Sequence, residues 1–571
     1  MKTSAPELIA QHRARGAWTD RRIHDLFDDA VSAVPGRLAV VDPPNREALT
    51  GGPPQRLSFA ELASLTAGYA RALAAAGLTR DDILITQIPN VAEYVAIYLA
   101  AFRLGVIVSP VPMQFRAYEL GEIARLTGAR AGLTVGRFKG EPTALAGFVG
   151  AGTAPGLRGL VLGDPSDVPD GCAHFAPLES PPGGSPSTDP APALQPGADD
   201  VATICWTSGT EGSPKGVPRT HNHWMAIAPA HFDGVGLRDG DVMLNPFPLV
   251  NMAAIGGCFL SWLLARGTLV LHHPLDLAVY LRQIATERPQ YAIAPPAVLN
   301  MLLKNEPLLA SLDLSSLRCI GSGSAPLEPS MIRGYGDRFG IEIVNIFGSN
   351  EGMSLFSGAK EAPDPELRAR LFPRFGRPEL DWPQRSASMI ETRIVDPTTG
   401  AEIGEPGAPG EMQIRGPTVF DGYFAAPERT REAFTADGWF RTGDLFEIAA
   451  DERGPRYYRC VGRLKQLIIR GGVKISPEEL DEVLSRHPDV LEGAVAPYRD
   501  EIMGERIAAV VVPRPGAAPT LDALQQHFEA AGLAVFKRPE RLCIAAQLPR
   551  NPLGKLLRAE LSRLAEDDAA S

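Results

Sequence analysis

Residues 207–216 read TSGTEGSPKG and follow the apolar run VATICW at 201–206. These ten residues hold four hydroxyl side chains, three glycines and Lys215. Glycine lets the backbone turn its N–H groups toward one point, hydroxyls add donors, and a lysine brings a mobile positive charge. An apolar strand running into such a loop predicts a grip on a polyphosphate. The common P-loop is excluded, because it needs Gly-Lys-Ser/Thr and Lys215 lies between Pro214 and Gly216.

Outward from that loop the chain alternates strand-like and helix-like stretches. Upstream, Ser58-Phe-Ala-Glu61 opens a capped helix reaching about Ala76, with Leu62, Leu65, Tyr69 and Leu73 at helical spacing. A strand at 82–88, a helical stretch at 91–102 and a strand at 105–111 follow. Residues 180–200 are rich in Pro, Gly and Ser and predict an exposed loop. Downstream, strands are expected at 242–246, 268–272, 291–294, 318–321 and 342–347, as a second sheet beyond the loop. The fold class is therefore α/β, with two doubly wound, largely parallel sheets. From 388 to 460 short strands at 389–396, 411–415 and 457–461 between Gly/Pro turns indicate a small barrel-like subdomain. Past Arg463, Ser476-Pro477-Glu-Glu479 caps a helix and strands at 493–496 and 507–512 complete a small α+β unit. The expected division is a large domain at 1–464 and a small mobile one at 465–571.

Composition narrows the partners. The 571 residues are 44% apolar and 22% charged, as in ordinary globular proteins, and the net charge of −11 argues against a nucleic-acid surface. Six cysteines without a CxxC pair suggest neither a disulfide framework nor a zinc site, and a reducing cytoplasm fits them. The longest apolar run, 252–265, has the length of a buried core helix rather than of a membrane span. No membrane partner is expected; homodimer formation stays open.

Four further stretches complete the pattern: Asn345-Ile-Phe347-Gly348-Ser-Asn350-Glu351-Gly, Gly438-Trp-Phe-Arg-Thr-Gly-Asp444-Leu, Gly462-Arg463-Leu-Lys465 with Arg470-Gly471-Gly472, and Asn551-Pro-Leu-Gly-Lys555. In order and separation they resemble the adenylate-forming superfamily of acyl-CoA synthetases, peptide-synthetase adenylation domains and luciferases. The resemblance runs from about residue 25 to 561.

It implies that ATP, Mg²⁺ and CoA are used on a small carboxylic acid. By this likeness Thr207, Ser208, Gly209, Thr210 and Lys215 hold the β- and γ-phosphates, and Glu351 coordinates magnesium. Ser324, Ala325 and Pro326 flank adenine, with Asn345, Phe347, Gly348 and Asn350 beside the nucleotide. Asp444 accepts the ribose hydroxyls, Arg463 accompanies it, and Lys555 bridges the substrate carboxylate and α-phosphate. Asn251, Met252, Gly256, Gly257, Ser322 and Gly323 face the acyl group, Arg470, Gly471, Gly472 and Lys474 face CoA, and Lys465 is the hinge. Lys555, Glu351 and Lys215 carry the chemistry.

Two residues depart from the family pattern: Asn350 stands where Thr is frequent, and Asn251 where an aromatic residue or His is frequent. The residues matching the Asn and Ser that meet a ring hydroxyl in relatives binding ortho-hydroxylated benzoates are Met252 and Gly256. The glycine pair 256–257 is expected to free volume at the pocket floor. These features point to a carboxylate:CoA ligase for a non-hydroxylated aromatic, alicyclic or medium-chain acid. An aryl-acid adenylating enzyme loading a carrier protein, and a non-catalytic nucleotide-binding module, are the competing readings.

Overall fold

The strands that flank the phosphate loop, Val201–Thr207 and Lys215–Thr220, lie side by side at one edge of a seven-stranded sheet. From that edge the order continues Ile107–Pro110, Ile83–Gln87, Ala131–Val135, Arg158–Leu162 and Cys172–His174, with parallel pairing from Val201–Thr207 onward. This computed structural model describes residues 1–154, 156–179, 195–207, 214–323, 327–377, 379–397, 399–464, 468–475, 477–549 and 556–567.

An eight-stranded sheet carries Ser354–Ser357, Glu342–Gly348, Cys319–Gly323, Tyr291–Ile293, Val242–Asn245, Thr268–Leu271, Leu38–Val41 and Arg56–Ser58, in that order. Its interior is parallel and both edge pairs are antiparallel. The two sheets are thus not split by the loop as expected. Leu38–Val41 and Arg56–Ser58 precede the loop yet pair into this sheet, and Leu38–Val41 is too short a run to signal its partner. A third, antiparallel sheet of Leu371–Pro373, Gly454–Arg463, Phe440–Asp451, Gly410–Arg415 and Glu391–Val395 forms the small β subdomain.

Local chemistry explains the elements. Ser58 Oγ accepts from Glu61 N at 3.3 Å while Glu61 Oε2 accepts from Ser58 N at 2.8 Å, and this reciprocal cap starts the helix Phe59–Ala75. The helix Ala92–Leu104 is apolar on nearly every side and is correspondingly buried. The apolar run 252–265 is helical and buried, but not one regular α-helix. Met252–Ala254 and Ser261–Ala265 are joined by a π-helical turn, Ile255–Leu260, and Ser261 Oγ donates to the Gly256 carbonyl at 3.4 Å.

Two compact units result: Met1–Met113, Thr127–Trp206 and Gly216–Gly462 form one, and Gln114–Leu126, Thr207–Lys215 and Arg463–Ser571 the other. In the latter, strands Val490–Asp500 and Gly504–Pro513 are flanked by Ile468–Arg470, Val473–Ile475 and Arg541–Ile544, with helices Pro477–Ser485, Leu521–Ala530 and Arg558–Asp567. Among the described residues no helix is long and apolar enough to cross a membrane.

A buried ionic cluster ties the two large sheets of the first unit. Asp42, just past the strand Leu38–Val41, accepts from Ala92 N at 2.7 Å, Gln55 N at 3.0 Å and Arg46 Nη1. Arg46 also donates to Glu93 Oε1 at 2.6 Å. Burial pushes the Asp42 carboxyl up to about 6 despite the arginine beside it. Arg46 is the cation of this cluster among the described residues, and removing it leaves a buried and a half-buried carboxylate uncompensated, so Arg46→Met should cost about 3–5 kcal/mol, read as a lowered thermal midpoint. An unchanged midpoint would show that the sheets do not depend on it.

Candidate active site

Parallel strands deliver their loops at the carboxyl edge of a sheet, where ligands of open α/β folds bind. Cys319–Gly323 and Glu342–Gly348 are neighbours there, with Ser322 opposite Asn345 and Gly323 opposite Ile346. The approach at Gly323 is so close that an added Cβ would lie 2.1 Å from the Ile346 carbonyl oxygen, so only glycine fits. Ser322 Oγ donates to Ala294 O at 2.8 Å, and Asn345 Nδ2 donates to Arg368 O and Ala369 O at 3.1 and 3.0 Å. Both side chains expected at the ligand are thus also committed to holding backbone. Phe347 packs edge-on against Phe446 and Phe372, with centroids 5.2 and 5.7 Å away.

Past Gly348 the chain turns sharply and presents Asn350 and Glu351. Gly352, at φ +123°, permits the turn, and a side chain there would strike the Thr418 carbonyl oxygen at 2.1 Å. Glu351 O accepts from Phe420 N at 2.8 Å, and Glu351 Oε1 accepts from the Tyr423 hydroxyl at 3.3 Å. Burial, then the Glu351 charge, raises the Tyr423 pKa and keeps that phenol protonated.

Beneath the turn lies Arg219, wholly buried. Its guanidinium donates to Asn350 O at 2.9 Å, Thr418 O at 2.8 Å and His223 O at 3.1 Å, and stacks 4.7 Å over Trp224. Burial draws its pKa down to about 10, while Cys205, Glu351 and Asp421 act in the opposite sense. Arg219 and Tyr423 were missed in reading the sequence. A hint existed for Arg219, a lone charge inside the strand directly after the phosphate loop; Tyr423 follows no periodicity.

Asn350, the residue in place of the frequent Thr, has a task of its own. Its Oδ1 accepts from Met252 N at 2.8 Å, which fixes the first turn of the 252–265 run. Asn251 caps the same turn, Oδ1 accepting from Ala254 N at 3.2 Å. The volume expected at the glycine pair is already occupied. A Cβ on Gly256 would meet Met252 Sδ at 2.9 Å and Trp224 at 3.2 Å, and one on Gly257 would meet the His231 ring at 3.1 Å. Those glycines serve close packing of the π turn on the helix His221–Gly234, which corrects the reading of an open pocket floor.

Asp444 is buried on the strand Phe440–Asp451, its N–H bonded to Thr442 Oγ1 at 3.1 Å. Thr207 and Lys215 end and begin the strands around the phosphate loop. Ser208, Gly209, Thr210, Ser324, Ala325, Pro326, Lys465 and Lys555 lie outside the described residues, as do the side chains of Arg463 and Lys474. In the second unit, Gly471 and Gly472 both take positive φ, +56° and +82°, and form the two-residue turn between Ile468–Arg470 and Val473–Ile475. Arg470 clasps Glu540 through two bonds of 3.0 and 2.9 Å, and Arg506 shares that carboxylate at 2.8 Å. Burial alone would raise the Glu540 pKa, but the two arginines hold it below the usual value.

Among the described residues no cluster of three or more His, Cys, Asp or Glu could cage a metal. Glu351 offers a single carboxylate at the end of a rigid turn. One carboxylate plus phosphate oxygens is how magnesium is commonly held, so the residues present fit a cation that arrives with a nucleotide.

The family model described as AMP-binding enzyme matches residues 28–424, and that described as AMP-binding enzyme C-terminal domain matches 479–555. The 2-hydroxy-7-methoxy-5-methyl-1-naphthoate–CoA ligase of Streptomyces carzinostaticus is 31% identical over 571 residues, 98% of this chain and 97% of that protein. Pyochelin synthase PchD of Pseudomonas aeruginosa is 30% identical over 557 residues, 97% and 94% of the two chains. Among solved structures, the amide bond synthetase McbA of Marinactinospora thermotolerans matches with a TM-score of 0.77 at 25% identity, over 95% of this chain and 99% of that one. With its carboxyl-edge turn built on Arg219 and family models spanning both parts of its length, this chain belongs to the adenylate-forming, AMP-binding enzymes.

Proposed function

We propose that this enzyme is an ATP-dependent carboxylate:CoA ligase that works through an acyl adenylate. The observation that carries the reading is the Asn350–Glu351 turn, a carboxylate and an amide donor held side by side over a buried arginine. In the first half-reaction a carboxylate oxygen of the acid attacks the α-phosphorus of ATP, and the bond to pyrophosphate breaks. Two anions meet there, so donors preset around the phosphorus lower the barrier. Thr207, Ser208, Thr210 and Lys215 hold the β- and γ-phosphates, Asn350 donates to an α-phosphate oxygen, and Asp444 with Arg463 orients the ribose. Magnesium bound at Glu351 would neutralise phosphate charge. Lys555 steadies the attacking carboxylate. In the second half-reaction the CoA sulfur attacks the acyl carbon and AMP leaves.

A second reading, loading of a carrier protein, is favoured by one feature: Arg470, expected to meet CoA, is already paired to Glu540. For the acid, the absence of donors at Met252 and Gly256 is the basis for selection, since an ortho hydroxyl buried there unpaired costs about 1–3 kcal/mol. An aromatic, alicyclic or medium-chain acid without that hydroxyl is the substrate class.

Pyrophosphate release with benzoate, cyclohexanecarboxylate, octanoate and salicylate, with and without CoA, tests this directly. Release with the first three, thioester formed only with CoA, and salicylate giving the lowest kcat/KM are expected. Salicylate as the best of the four would overturn the substrate class, release without thioester would favour the carrier-protein reading, and no release with any acid would leave a non-catalytic module. Lys555→Ala should lower acyl-AMP formation by orders of magnitude and largely spare thioester formation from supplied acyl-AMP; equal loss in both would remove its assigned role. Because Lys555 and the 470–474 loop serve different steps, the small domain is expected to turn about Lys465. Lys465→Pro, which fixes φ there, should then slow one half-reaction selectively, and unchanged turnover would count against the hinge.

A further inference from the structure

A cavity of about 610 Å³ opens in the first unit, at the edge of the eight-stranded sheet opposite to the candidate active site. Cys319 and Glu342 line it, and they are the first residues of the strands Cys319–Gly323 and Glu342–Gly348. The last residues of those strands, Gly323 and Gly348, belong to the catalytic edge. The end of the helix His221–Gly234, the residues just after it, Lys360 and the segment 383–385 supply the rest of the wall. A volume of this size is that of a small-molecule site rather than of a packing defect. Phe232, Val235 and Leu237 make part of the wall apolar, which suits an organic molecule better than a bare ion.

Four cationic side chains, Arg238, Arg318, Lys360 and Arg385, border the cavity against two carboxylates, Asp233 and Glu342. The carboxylates are already answered within the fold. Asp233 accepts from Arg385 through both oxygens at 2.7 Å, and Glu342 Oε1 accepts from Ala359 N at 2.6 Å. Arg318 is committed as well, to Asp241 through Nη2 and to Gly236 O through Nη1 at 3.3 Å. Arg238 and Lys360 differ: both are exposed, and neither side chain has a partner among the described residues. Between them in character stands Gln384, only 5% exposed, whose Nε2 meets no acceptor at hydrogen-bonding geometry. Burial raises the pKa of the neighbouring Glu361, and the Gln384 side chain opposes that rise without pairing off its amide. Each acid of the wall thus has its donor, while two cations and one amide have no acceptor. A cleft so lined holds a positive potential that draws anions in.

We propose that this cavity is a second binding site, which takes a small organic molecule bearing two anionic groups, carboxylate or phosphate. The anionic groups meet Arg238 and Lys360, the Gln384 amide donates to one of them, and the apolar wall covers the carbon between. Charge-assisted bonds of this kind are the strong ones, and an arginine and a lysine together accept either anion type. The site is independent of the ligase reading, whose nucleotide is assigned to the other edge of the sheet.

The probes are 3-phosphoglycerate, with one phosphate and one carboxylate, and citrate, with carboxylates alone. Each is titrated into the full-length enzyme at fixed ionic strength, with glycerol as the uncharged control. Binding is located by limited acetylation of lysines followed by peptide mass analysis. At least one probe should saturate with a Kd of about 1 mM or tighter and protect Lys360 from acetylation. The double variant Arg238→Ala, Lys360→Ala should weaken binding about tenfold or more, since two charge-assisted contacts are lost. Both side chains are exposed and unpaired, so its thermal midpoint without probe should not move. Arg238→Lys with Lys360→Arg should keep binding, and Asp444→Asn, at the nucleotide site, should leave it unchanged. Binding of 3-phosphoglycerate alone would mark the ligand as a phosphate ester, and equal binding of citrate would mark it as a polycarboxylate. Failure of both probes, protection of other lysines but not Lys360, or binding that survives the double alanine variant would overturn the proposal and leave ordinary solvated surface charges. None of these readouts needs turnover, so absence of pyrophosphate release would sink the ligase reading without touching this one.

Discussion

A single buried cation organises the catalytic end of this molecule. Arg219 is fully buried and, among the described residues, makes no direct ion pair; three backbone carbonyls accept from its Nη1 and Nη2 groups and an indole face covers it. A desolvated guanidinium is costly unless most of its donors are met and compensating charge stands nearby; its Nη groups are met here, its Nε has no partner among the described residues, and Glu351 and Asp421 supply charge. Each partner carbonyl belongs to a different stretch: the Glu351 turn, the segment before Phe420, and the helix beginning at His221. The arginine thereby ties two turns and a helix end together, and the carboxylate above it inherits their rigidity. Placement of this kind is what electrostatic preorganisation requires, because groups already fixed need not reorganise as charge moves.

The same economy appears in how expected ligand residues are used twice. Asn350 spends its side-chain carbonyl on Met252; Asn345 anchors the backbone at Arg368 and Ala369. Gly471 and Gly472 satisfy a hairpin before any cofactor is considered. Where a residue's structural work explains its identity, a binding role needs separate support.

Much of the large domain was legible in the sequence because period and punctuation agree locally. Strand–helix alternation placed the parallel strands it named to within a few residues, but Ala131–Val135, Arg158–Leu162 and Cys172–His174 were not named; Ser58 with Glu61 announced its helix. Motif order gave the superfamily. What stayed hidden depends on pairing across distance. Leu38–Val41 joins strands some two hundred residues away, and nothing in four apolar residues names that partner. Nothing local marked Arg219 as a keystone, since its burial is decided by the Thr418 and Asn350 segments. The glycines at 256–257 read as empty space because the bulk of Trp224 and His231 arrives from another helix.

The π turn at Ile255–Leu260 has a consequence for how this helix can change. An α-helix keeps every residue in one angular phase, about 100° per position, so any adjustment at one end rotates the other. A wide turn in the middle breaks that phase lock. The first turn, held by the Asn350 amide, and the last, packed through Trp262 into the core, are therefore geared separately. Substitutions in the first turn need not disturb the seating of the last, and the segment works as a coupling with slip rather than as a rigid shaft.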